Sequence, residues 1–373
     1  MNLLFLDSIE SDVYGGMEEW IRLVASGLVQ RGHRVRVVGR PGSRFLERLE
    51  RETHNVQLEP LDISGDFHPG TIVKLKKIIK DDSVDAVVVN FNKDVRLGGL
   101  AARLDGGPRV IWSVGLDITR DSWIHRALTP RLIDGVIVPS ESLKSQITRH
   151  GYISPEIVKV IPIGIPDIAK PKGSSTGQRA EILSRFGLPQ NAFVVVTVGR
   201  LVEQKGHTYL IEAMPRLVKS IPEIRMLWCG SGPKEASLKD QARQLGVLDH
   251  IVFAGMLDSV ESVLSPGCLM AHPSIDEPFG IAVLEGMRAG MPIVASNVGG
   301  IPEVLGDAGM LITRADPNAI ADAVEELHRS PVKRASLAGS ARKRFEEHFS
   351  LDLMISAVET YLAEVIQTEK RHG

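Results

Sequence analysis

The sequence predicts an α/β fold with two doubly wound, Rossmann-like domains that face each other across a cleft. Three observations support this prediction. The chain has 373 residues, which is more than one hydrophobic core usually organises. Short apolar runs alternate with amphipathic helical stretches along nearly its whole length, a pattern typical of βα units and parallel sheets. The pattern is interrupted once, between Ile161 and Ala192, where proline, glycine and serine cluster as in a linker.

The alternation also predicts the individual elements. Before the interruption, strands are expected at Leu3–Leu6, Arg34–Val38, Ala86–Phe91, Val110–Val114 and Gly135–Val138, with helices at Met17–Arg31, Thr71–Lys80, Leu97–Leu104 and Ser142–His150. After it, strands are expected at Phe193–Val198, Ile224–Cys229, His250–Ala254, Cys268–His272, Pro292–Ser296 and Gly309–Ile312, with helices at Ile281–Ala289 and Leu351–Gln367. We therefore expect an N-terminal domain over residues 1–165, a C-terminal domain over residues 166–349 and a last helix within residues 350–373.

Composition narrows the class of protein. Hydrophobic residues make up 43% and charged residues 24% of the chain, and the formal net charge is -2, so no strong field favours nucleic acid as a partner. The two cysteines, Cys229 and Cys268, lie in apolar stretches and lack the spacing of a metal site. A disulfide scaffold is therefore not expected, which fits a reducing cytoplasm. The first residues lack the basic segment of a signal peptide, and no apolar run reaches the ~20 residues of a membrane span. We expect a cytoplasmic protein.

Parallel α/β sheets bind ligands beyond the carboxyl ends of their strands, so we expect the functional residues in the loops that follow the strands. The loop after Phe193–Val198 contains Gly199, Arg200, Lys205 and Gly206. Two cations five positions apart in one loop can converge on a polyanion such as a diphosphate. The alternative is two solvated loop charges. The order of residues is not that of a Walker loop.

The loop after Cys268–His272 contains Glu277, Pro278, Phe279 and Gly280 and leads into the helix that carries Glu285. The amides of Phe279, Gly280 and Ile281 would form an anion site at that helix start. Glu285 lies among apolar neighbours, where a carboxylate needs a partner such as paired sugar hydroxyls. The alternatives are helix electrostatics for Glu277 and a surface charge for Glu285.

Three glycine pairs follow other strands: Gly15 and Gly16, Gly230 and Gly232, and Gly299 and Gly300. Each pair permits close contact of the backbone with a ligand, and each alone is also explained by a tight turn. None forms a dinucleotide-binding fingerprint.

In this order along the chain, the segments resemble the family 4 glycosyltransferases, retaining enzymes of the GT-B fold that are also called glycosyl transferases group 1. The marks of the resemblance are Gly199-Arg200 with Lys205-Gly206, Gly230-Ser231-Gly232-Pro233, Glu277-Pro278-Phe279-Gly280 with Glu285, and Gly299-Gly300-Ile301-Pro302-Glu303. Seven residues separate the two glutamates, as in the E-x7-E pattern of such enzymes. The resemblance covers essentially the whole chain.

The resemblance implies a nucleoside diphosphate sugar as donor, with no cofactor and no metal. It implies catalytic roles for Arg200 and Lys205 at the diphosphate and for Glu277 beside the transferred sugar. It implies that Glu285 binds the ribose, that the loop at Met256 receives the base, and that the last helix packs back on the N-terminal domain. The implied donor-binding residues are Gly15, Gly16, Gly199, Gly230, Gly232, Met256, Phe279, Gly280, Ile281 and Glu285.

One position departs from the family pattern. Many relatives have a histidine in the segment that here reads Trp112-Ser113-Val114-Gly115-Leu116-Asp117, with Gly115 at about its place. A catalytic histidine therefore cannot be carried over, and the choice of donor sugar stays open.

Polar residues after two N-terminal strands indicate an acceptor site. They are Asn92, Lys93, Arg96, Asp117 and Arg120. The three cations suit an anionic acceptor, such as a lipid phosphate or an acidic sugar; the alternative is a surface network of charges. The basic amphipathic stretch Lys74–Lys80 suits either a helix that covers the sheet or peripheral contact with the inner face of a membrane.

Together with these observations, the resemblance implies a retaining, metal-independent transfer of a hexose-type unit to a glycan, lipid-linked or small-molecule acceptor. The alternatives are a nucleotide-sugar epimerase of the same fold, a phosphorylase, and a sugar-nucleotide-binding subunit without turnover. No lysine has the setting that the pyridoxal phosphate of a phosphorylase would require.

Overall fold

A computed structural model describes residues 1–10, 14–105, 107–167, 175–257, 259–265 and 267–368. The chain divides into two compact units, Met1–Gly164 with Leu351–Gly373, and Ile165–Ser350. Each unit is built around one parallel sheet, with α-helices between most consecutive strands. The predicted α/β class is confirmed.

The first unit contains a seven-stranded parallel sheet in the order β3-β2-β1-β4-β5-β6-β7. Its strands are β1 (Asn2–Leu6), β2 (Arg34–Gly39), β3 (Gln57–Pro60), β4 (Ala86–Val89), β5 (Arg109–Ser113), β6 (Gly135–Val138) and β7 (Val158–Val160). Its helices are α1 (Gly16–Gln30), α2 (Arg44–Glu52), α3 (Pro69–Asp81), α4 (Asn92–Asp105), α5 (Trp123–Leu132), α6 (Glu141–Thr148) and α14 (Leu351–Gln367). The strand order reverses between β1 and β4, and sheets of this kind commonly bind ligands at the carboxyl ends of the strands that flank the reversal.

The last helix, α14, packs against the first unit. Arg31 at the end of α1 donates to Glu359 at 2.8 Å, and a Cβ added to Gly27 would lie 2.7 Å from the Ile355 side chain. The Tyr361 hydroxyl donates to the Ile157 carbonyl at 2.7 Å. Apolar packing and polar contacts thus hold α14 in this unit.

The second unit contains a six-stranded parallel sheet in the order β10-β9-β8-β11-β12-β13. Its strands are β8 (Phe193–Val198), β9 (Ile224–Cys229), β10 (Ile251–Gly255), β11 (Leu269–His272), β12 (Ile293–Ser296) and β13 (Met310–Ile312). Its helices are α7 (Ser175–Arg185), α8 (His207–Ser220), α9 (Glu235–Gln244), α10 (Ile281–Arg288), α11 (Ile301–Leu305), α12 (Pro317–Arg329) and α13 (Pro331–His348). The order reverses between β8 and β11.

The expectation of a linker from Ile161 to Ala192 is wrong for its second part. Ser175–Arg185 forms α7, and Ile182 and Leu183 on this helix are buried. Burial of two large apolar side chains outweighs the weak helix propensity of the residues around Gly177. Pro171, Gly173 and Ser174 lie outside the described residues.

The basic stretch Lys74–Lys80 lies in α3. Leu75 and Ile79 on this helix belong to the hydrophobic core of the first unit, whereas Lys74 and Lys80 are exposed. This is the arrangement of a helix that covers a sheet. Across the part of the chain that the structure describes, every helix is too short or too polar to cross a bilayer.

Candidate active site

The second unit brings two of the predicted segments together at the carboxyl ends of β8 and β11. These strands are neighbours in the sheet, and the strand order reverses between them. The loop after β8 carries Lys205, and the loop after β11 carries Glu277. Nζ of Lys205 lies 2.5 Å from Oε2 of Glu277, so an ion pair joins the two loops at the place where such sheets bind ligands.

Two further polar side chains complete this cluster, and sequence reasoning missed both. Nε2 of His272, the last residue of β11, lies 3.0 Å from the same oxygen of Glu277. Oγ of Ser274 lies 3.0 Å from Nε2 of His272, and it donates to Glu277 at 3.4 Å. His272 and Ser274 are buried. A histidine that ends an apolar strand, followed two residues later by serine, was the available signal.

The cluster holds Glu277 in its charged form. Burial alone would raise the pKa of this carboxyl group, but the contact with His272 and the charge of Lys205 lower its pKa to about 2. His207, at the start of α8, is also buried beside the cluster; burial, His272 and Lys205 lower its pKa to about 3. Glu277 is therefore an anion and His207 is neutral at physiological pH.

Arg200 differs from Lys205 in its surroundings. It is exposed and forms no ion pair with any residue that the structure describes. Its loop is nevertheless held in place, because the amide of Leu201 donates to the Ser231 carbonyl at 2.9 Å and the amide of Lys234 donates to the Leu201 carbonyl at 3.0 Å. A fixed loop thus presents an uncompensated guanidinium group to solvent.

The glycines at the strand ends support one another's loops. A Cβ at Gly299, whose φ is +53°, would lie 1.9 Å from the Glu277 carbonyl oxygen, and the amide of Gly300 donates to that oxygen at 2.9 Å. A Cβ at Gly230 would lie 2.0 Å from the Gly199 carbonyl oxygen, and one at Gly232 would lie 2.4 Å from that of Leu201. The absence of a side chain at these glycines leaves room for the backbone of a neighbouring loop. The sequence had suggested a bound ligand as the group that approaches them.

The start of α10 has no side-chain cap among the described residues. Gly280 precedes the helix with φ +105°. Phe279 is buried, with its ring centroid 6.2 Å from that of Phe349, which fixes the entry into the helix. The first amides of α10 at Ile281 therefore point out of the helix with their partial positive charge. Glu285 is half-buried one turn further on.

Met256 lies directly after β10 and is 73% exposed. Gly15 and Gly16 lie in the first unit, where Gly15 precedes α1 and its amide donates to Glu18 at 2.6 Å. Residues 11–13 of the same loop lie outside the described residues.

The space beside Gly115 is filled by another residue of the first unit. A Cβ added to Gly115 would lie 1.9 Å from Sδ of Met17, the second residue of α1. Any side chain at position 115 would therefore displace Met17. At the position where many relatives have a histidine, this chain therefore has a glycine, and the Met17 side chain fills the space beside it.

Four of the five predicted acceptor residues line one pocket in the first unit. The pocket has a volume of about 440 Å³ and is lined by Phe91, Asn92, Lys93, Asp117, Ile118, Thr119 and Arg120. Asn92 and Lys93 lie in the first turn of α4, which begins before the predicted helix Leu97–Leu104, and Nδ2 of Asn92 donates to the Ile118 carbonyl at 2.7 Å. Asp117 pairs with Arg149 at 2.7 Å, while Arg96 lies outside the lining and pairs with Asp66.

Buried carboxyl groups near the ends of β1 and β4 had no clear signal in the sequence. Asp7 and Asp94 are fully buried, and Nδ2 of Asn90 donates to Asp7 at 2.9 Å. Burial raises the pKa of Asp7 well above its usual value and raises the pKa of Asp94 to about 6. Repulsion from Asp94 contributes to the shift at Asp7.

Two family models match the chain, one in each half. The model described as Glycosyl transferases group 1 matches residues 178–344, and the model described as Glycosyltransferase Family 4 matches residues 14–167. Between them they span most of the chain. The chain belongs to the group 1 glycosyltransferases. The resemblance inferred from the sequence is confirmed, and the protein is a glycosyltransferase.

Individual relatives agree with this family. An uncharacterized glycosyltransferase of Methanocaldococcus jannaschii, MJ1607, is 32% identical over 58% of this chain and 56% of its own length, so this match spans little more than half of that relative. A GDP-mannose-dependent alpha-(1-6)-phosphatidylinositol monomannoside mannosyltransferase of Mycolicibacterium smegmatis is 27% identical over 91% of each chain. The structure of Anabaena Alr3699/HepE in complex with UDP covers 98% of this chain and 100% of that one, with a TM-score of 0.84 and 21% identity. This last likeness establishes the fold of the glycosyltransferase.

Proposed function

We propose that this glycosyltransferase moves a hexose from a nucleoside diphosphate sugar to an acceptor with retention of the anomeric configuration. The observation that carries the proposal is the ion pair of Lys205 and Glu277 at the reversal of strand order between β8 and β11. A buried carboxylate paired with a half-buried lysine at such a position suits the binding and departure of an anionic group.

In this proposal, Lys205 and Arg200 bind the diphosphate, and the first amides of α10 add a partial positive charge. Negative charge accumulates on the diphosphate as the glycosidic bond breaks, so cations that are already in place stabilise the transition state. Glu277 orients Lys205 and lies beside the transferred sugar. We further propose that these groups serve in place of a metal ion.

The two glutamates have different proposed roles. Glu285 would accept hydrogen bonds from the two ribose hydroxyls, since a carboxylate can accept both at once. The exposed loop at Met256 would contact the base.

The transition state would resemble an oxocarbenium ion, and the acceptor would attack on the face from which the diphosphate departs.

The names of similar proteins support a hexose but leave the base open. The mycobacterial relative is named as GDP-mannose-dependent, whereas the structures of Anabaena HepE contain UDP, with glucose in one of them. A screen of donors should therefore include UDP and GDP sugars of both glucose and mannose.

For the acceptor, we propose an anionic group that binds in the pocket at Lys93 and Arg120. Neither cation forms an ion pair with a residue that the structure describes, whereas Asp117 on the same pocket is neutralised by Arg149. A phosphate or carboxylate would compensate the two free charges.

The proposal is tested by incubating the purified protein with each nucleotide sugar and measuring release of nucleoside diphosphate, followed by NMR of the glycoside formed with anionic acceptors. We expect slow release without acceptor, faster release with one, and a product with the anomeric configuration of the donor. An inverted product would contradict retention. A changed sugar released without acceptor would indicate an epimerase, and binding without any release would indicate a subunit without turnover.

A further inference from the structure

The second unit contains a pocket at the opposite edge of its sheet from the candidate active site. It has a volume of about 380 Å³ and lies where β8 and β11 begin, with Phe193 and Cys268 in its wall. We call it the amino-edge pocket; its other polar lining includes Arg179, Glu223, His328 and Arg334. A strand of six residues such as β8 is about 17 Å long, so a ligand here would not touch one bound beyond Val198.

Two arginines give the amino-edge pocket an unbalanced positive charge. Neither Arg179 nor Arg334 forms an ion pair with a residue that the structure describes. Glu223 is the carboxylate among the described lining residues, and Nε2 of His328 lies 3.1 Å from its Oε1. Burial lowers the pKa of Arg334, because its guanidinium group is partly removed from solvent and no carboxylate among the described residues pairs with it.

Both guanidinium groups are fixed by backbone carbonyls. Nη2 of Arg179 donates to the Ala192 carbonyl at 2.6 Å. Nη1 of Arg334 donates to the carbonyls of Leu327 and His328 at 2.6 and 3.0 Å, and its guanidinium carbon lies 5.4 Å from the centre of the Phe193 ring. Each guanidinium has five N–H donors, so these contacts orient the groups and leave donors for a ligand.

We propose that the amino-edge pocket binds a phosphate monoester, with Arg179 and Arg334 contacting the phosphate. Tetrahedral phosphate suits fixed guanidinium groups because each can donate two parallel hydrogen bonds. The volume is in the range of small-molecule sites and exceeds what phosphate alone fills, so a small polar group attached to the phosphate also fits. The pocket is separate from the proposed donor site, and the inference stands independently of the proposed function.

The test uses isothermal titration calorimetry of the purified protein at constant ionic strength, with inorganic phosphate and glucose 6-phosphate as probes. We expect saturable binding, tighter for the sugar phosphate. Arg334→Gln and Arg179→Gln should each weaken it about tenfold or more, as expected for loss of a charge-assisted hydrogen bond. Arg329→Gln is the matched control, because Arg329 is exposed on α12 and lies outside the pocket lining. Circular dichroism verifies that each variant is folded.

Competition distinguishes this site from the active site. Saturating UDP or GDP should leave binding of glucose 6-phosphate unchanged, and Lys205→Ala should bind it as the unaltered protein does. The proposal is overturned if neither probe binds at millimolar concentration, if the nucleotides displace the probe, or if both pocket variants bind as tightly as Arg329→Gln. If Arg334→Gln does not fold, Arg179→Gln alone decides between these results.

Discussion

Nζ of Lys205 lies 2.5 Å from Oε2 of Glu277, and Nε2 of His272 lies 3.0 Å from the same oxygen. One buried carboxylate oxygen thus connects the loop after β8 with the end of β11 and the loop that follows it. Because Glu277 already holds the Lys205 side chain in one position, an arriving anion would require little rearrangement of that side chain. Preorganised charge of this kind is worth more than a flexible charge in solvent.

The Lys205–Glu277 pair should make stability depend on pH. The folded protein lowers the pKa of Glu277 from 4.5 to about 2, so the charged form stabilises the native state. This stabilisation is present above pH 4.5 and is lost as pH falls towards about 2. Urea unfolding should show Glu277→Gln to be less stable at neutral pH by about 2 to 3 kcal/mol, with a smaller difference at acid pH. An equal difference at every pH would argue against a charged Glu277 in the native state.

Gly299→Ala should destabilise the protein and disturb the site. The new Cβ would lie 1.9 Å from the Glu277 carbonyl oxygen, and a φ of +53° disfavours alanine. We expect a loss of about 2 kcal/mol or more, measured by thermal or urea unfolding, with lower donor turnover. Gly339→Ala is the matched control, because this glycine lies within α13 with open space around it and should gain about 0.5 to 1 kcal/mol. Equal stability of the two variants would show that the Gly299 contact is unimportant.

The sequence predicted the buried part of the fold well, because fully buried parallel strands such as Phe193–Val198 read as continuous apolar runs. Short strands at or near a sheet edge, Gln57–Pro60 and Val158–Val160, have no such run and were missed. Helix α2 was missed because its apolar residues are few, and α5 because Pro130 lies inside it.

For the candidate site, the sequence predicted which loops carry the functional residues but not the contacts between those loops. The loops with Lys205 and Glu277 follow strands, so topology alone brings them to one edge of the sheet. The contact of Gly299 with the Glu277 carbonyl joins residues that are far apart in the sequence, and so does the filling of space at Gly115 by Met17. Such contacts depend on tertiary packing and leave no local pattern.

Met17 and Gly115 should show energetic coupling. In Gly115→Ala, the added Cβ would lie 1.9 Å from Sδ of Met17 and force it to move, at a cost of about 1 kcal/mol or more. Met17→Ala should relieve this clash, so the double variant should be more stable than the sum of the single effects by at least about 0.5 kcal/mol. The effects of Met17→Ala and Gly339→Ala, which belong to different units, should be additive. Additivity of the Met17 and Gly115 effects in urea unfolding would contradict the packing described.

Asp94→Asn should stabilise the protein at alkaline pH. Burial raises the pKa of Asp94 from 3.8 to about 6, so the native state favours the protonated form. The associated stability is present below pH 3.8 and is lost as pH rises through about 6. The free energy of unfolding of Asp94→Asn, measured relative to that of the unaltered protein by urea unfolding, should rise by about 2 kcal/mol from pH 4 to pH 8. Asp81→Asn, at an exposed position, should not; the same pH profile in both variants would refute the assignment.

The central claim is that Arg200 and Lys205 bind the diphosphate of the donor, and calorimetric titration with UDP and GDP tests it most directly. Replacing Lys205 or Arg200 with alanine should weaken binding of the preferred nucleotide about 10- to 100-fold, the loss expected for a charge-assisted contact. Lys219→Ala, at an exposed position on α8, should bind as the unaltered protein does. Unchanged affinity in both the Arg200 and Lys205 variants, in folded protein, would contradict the account.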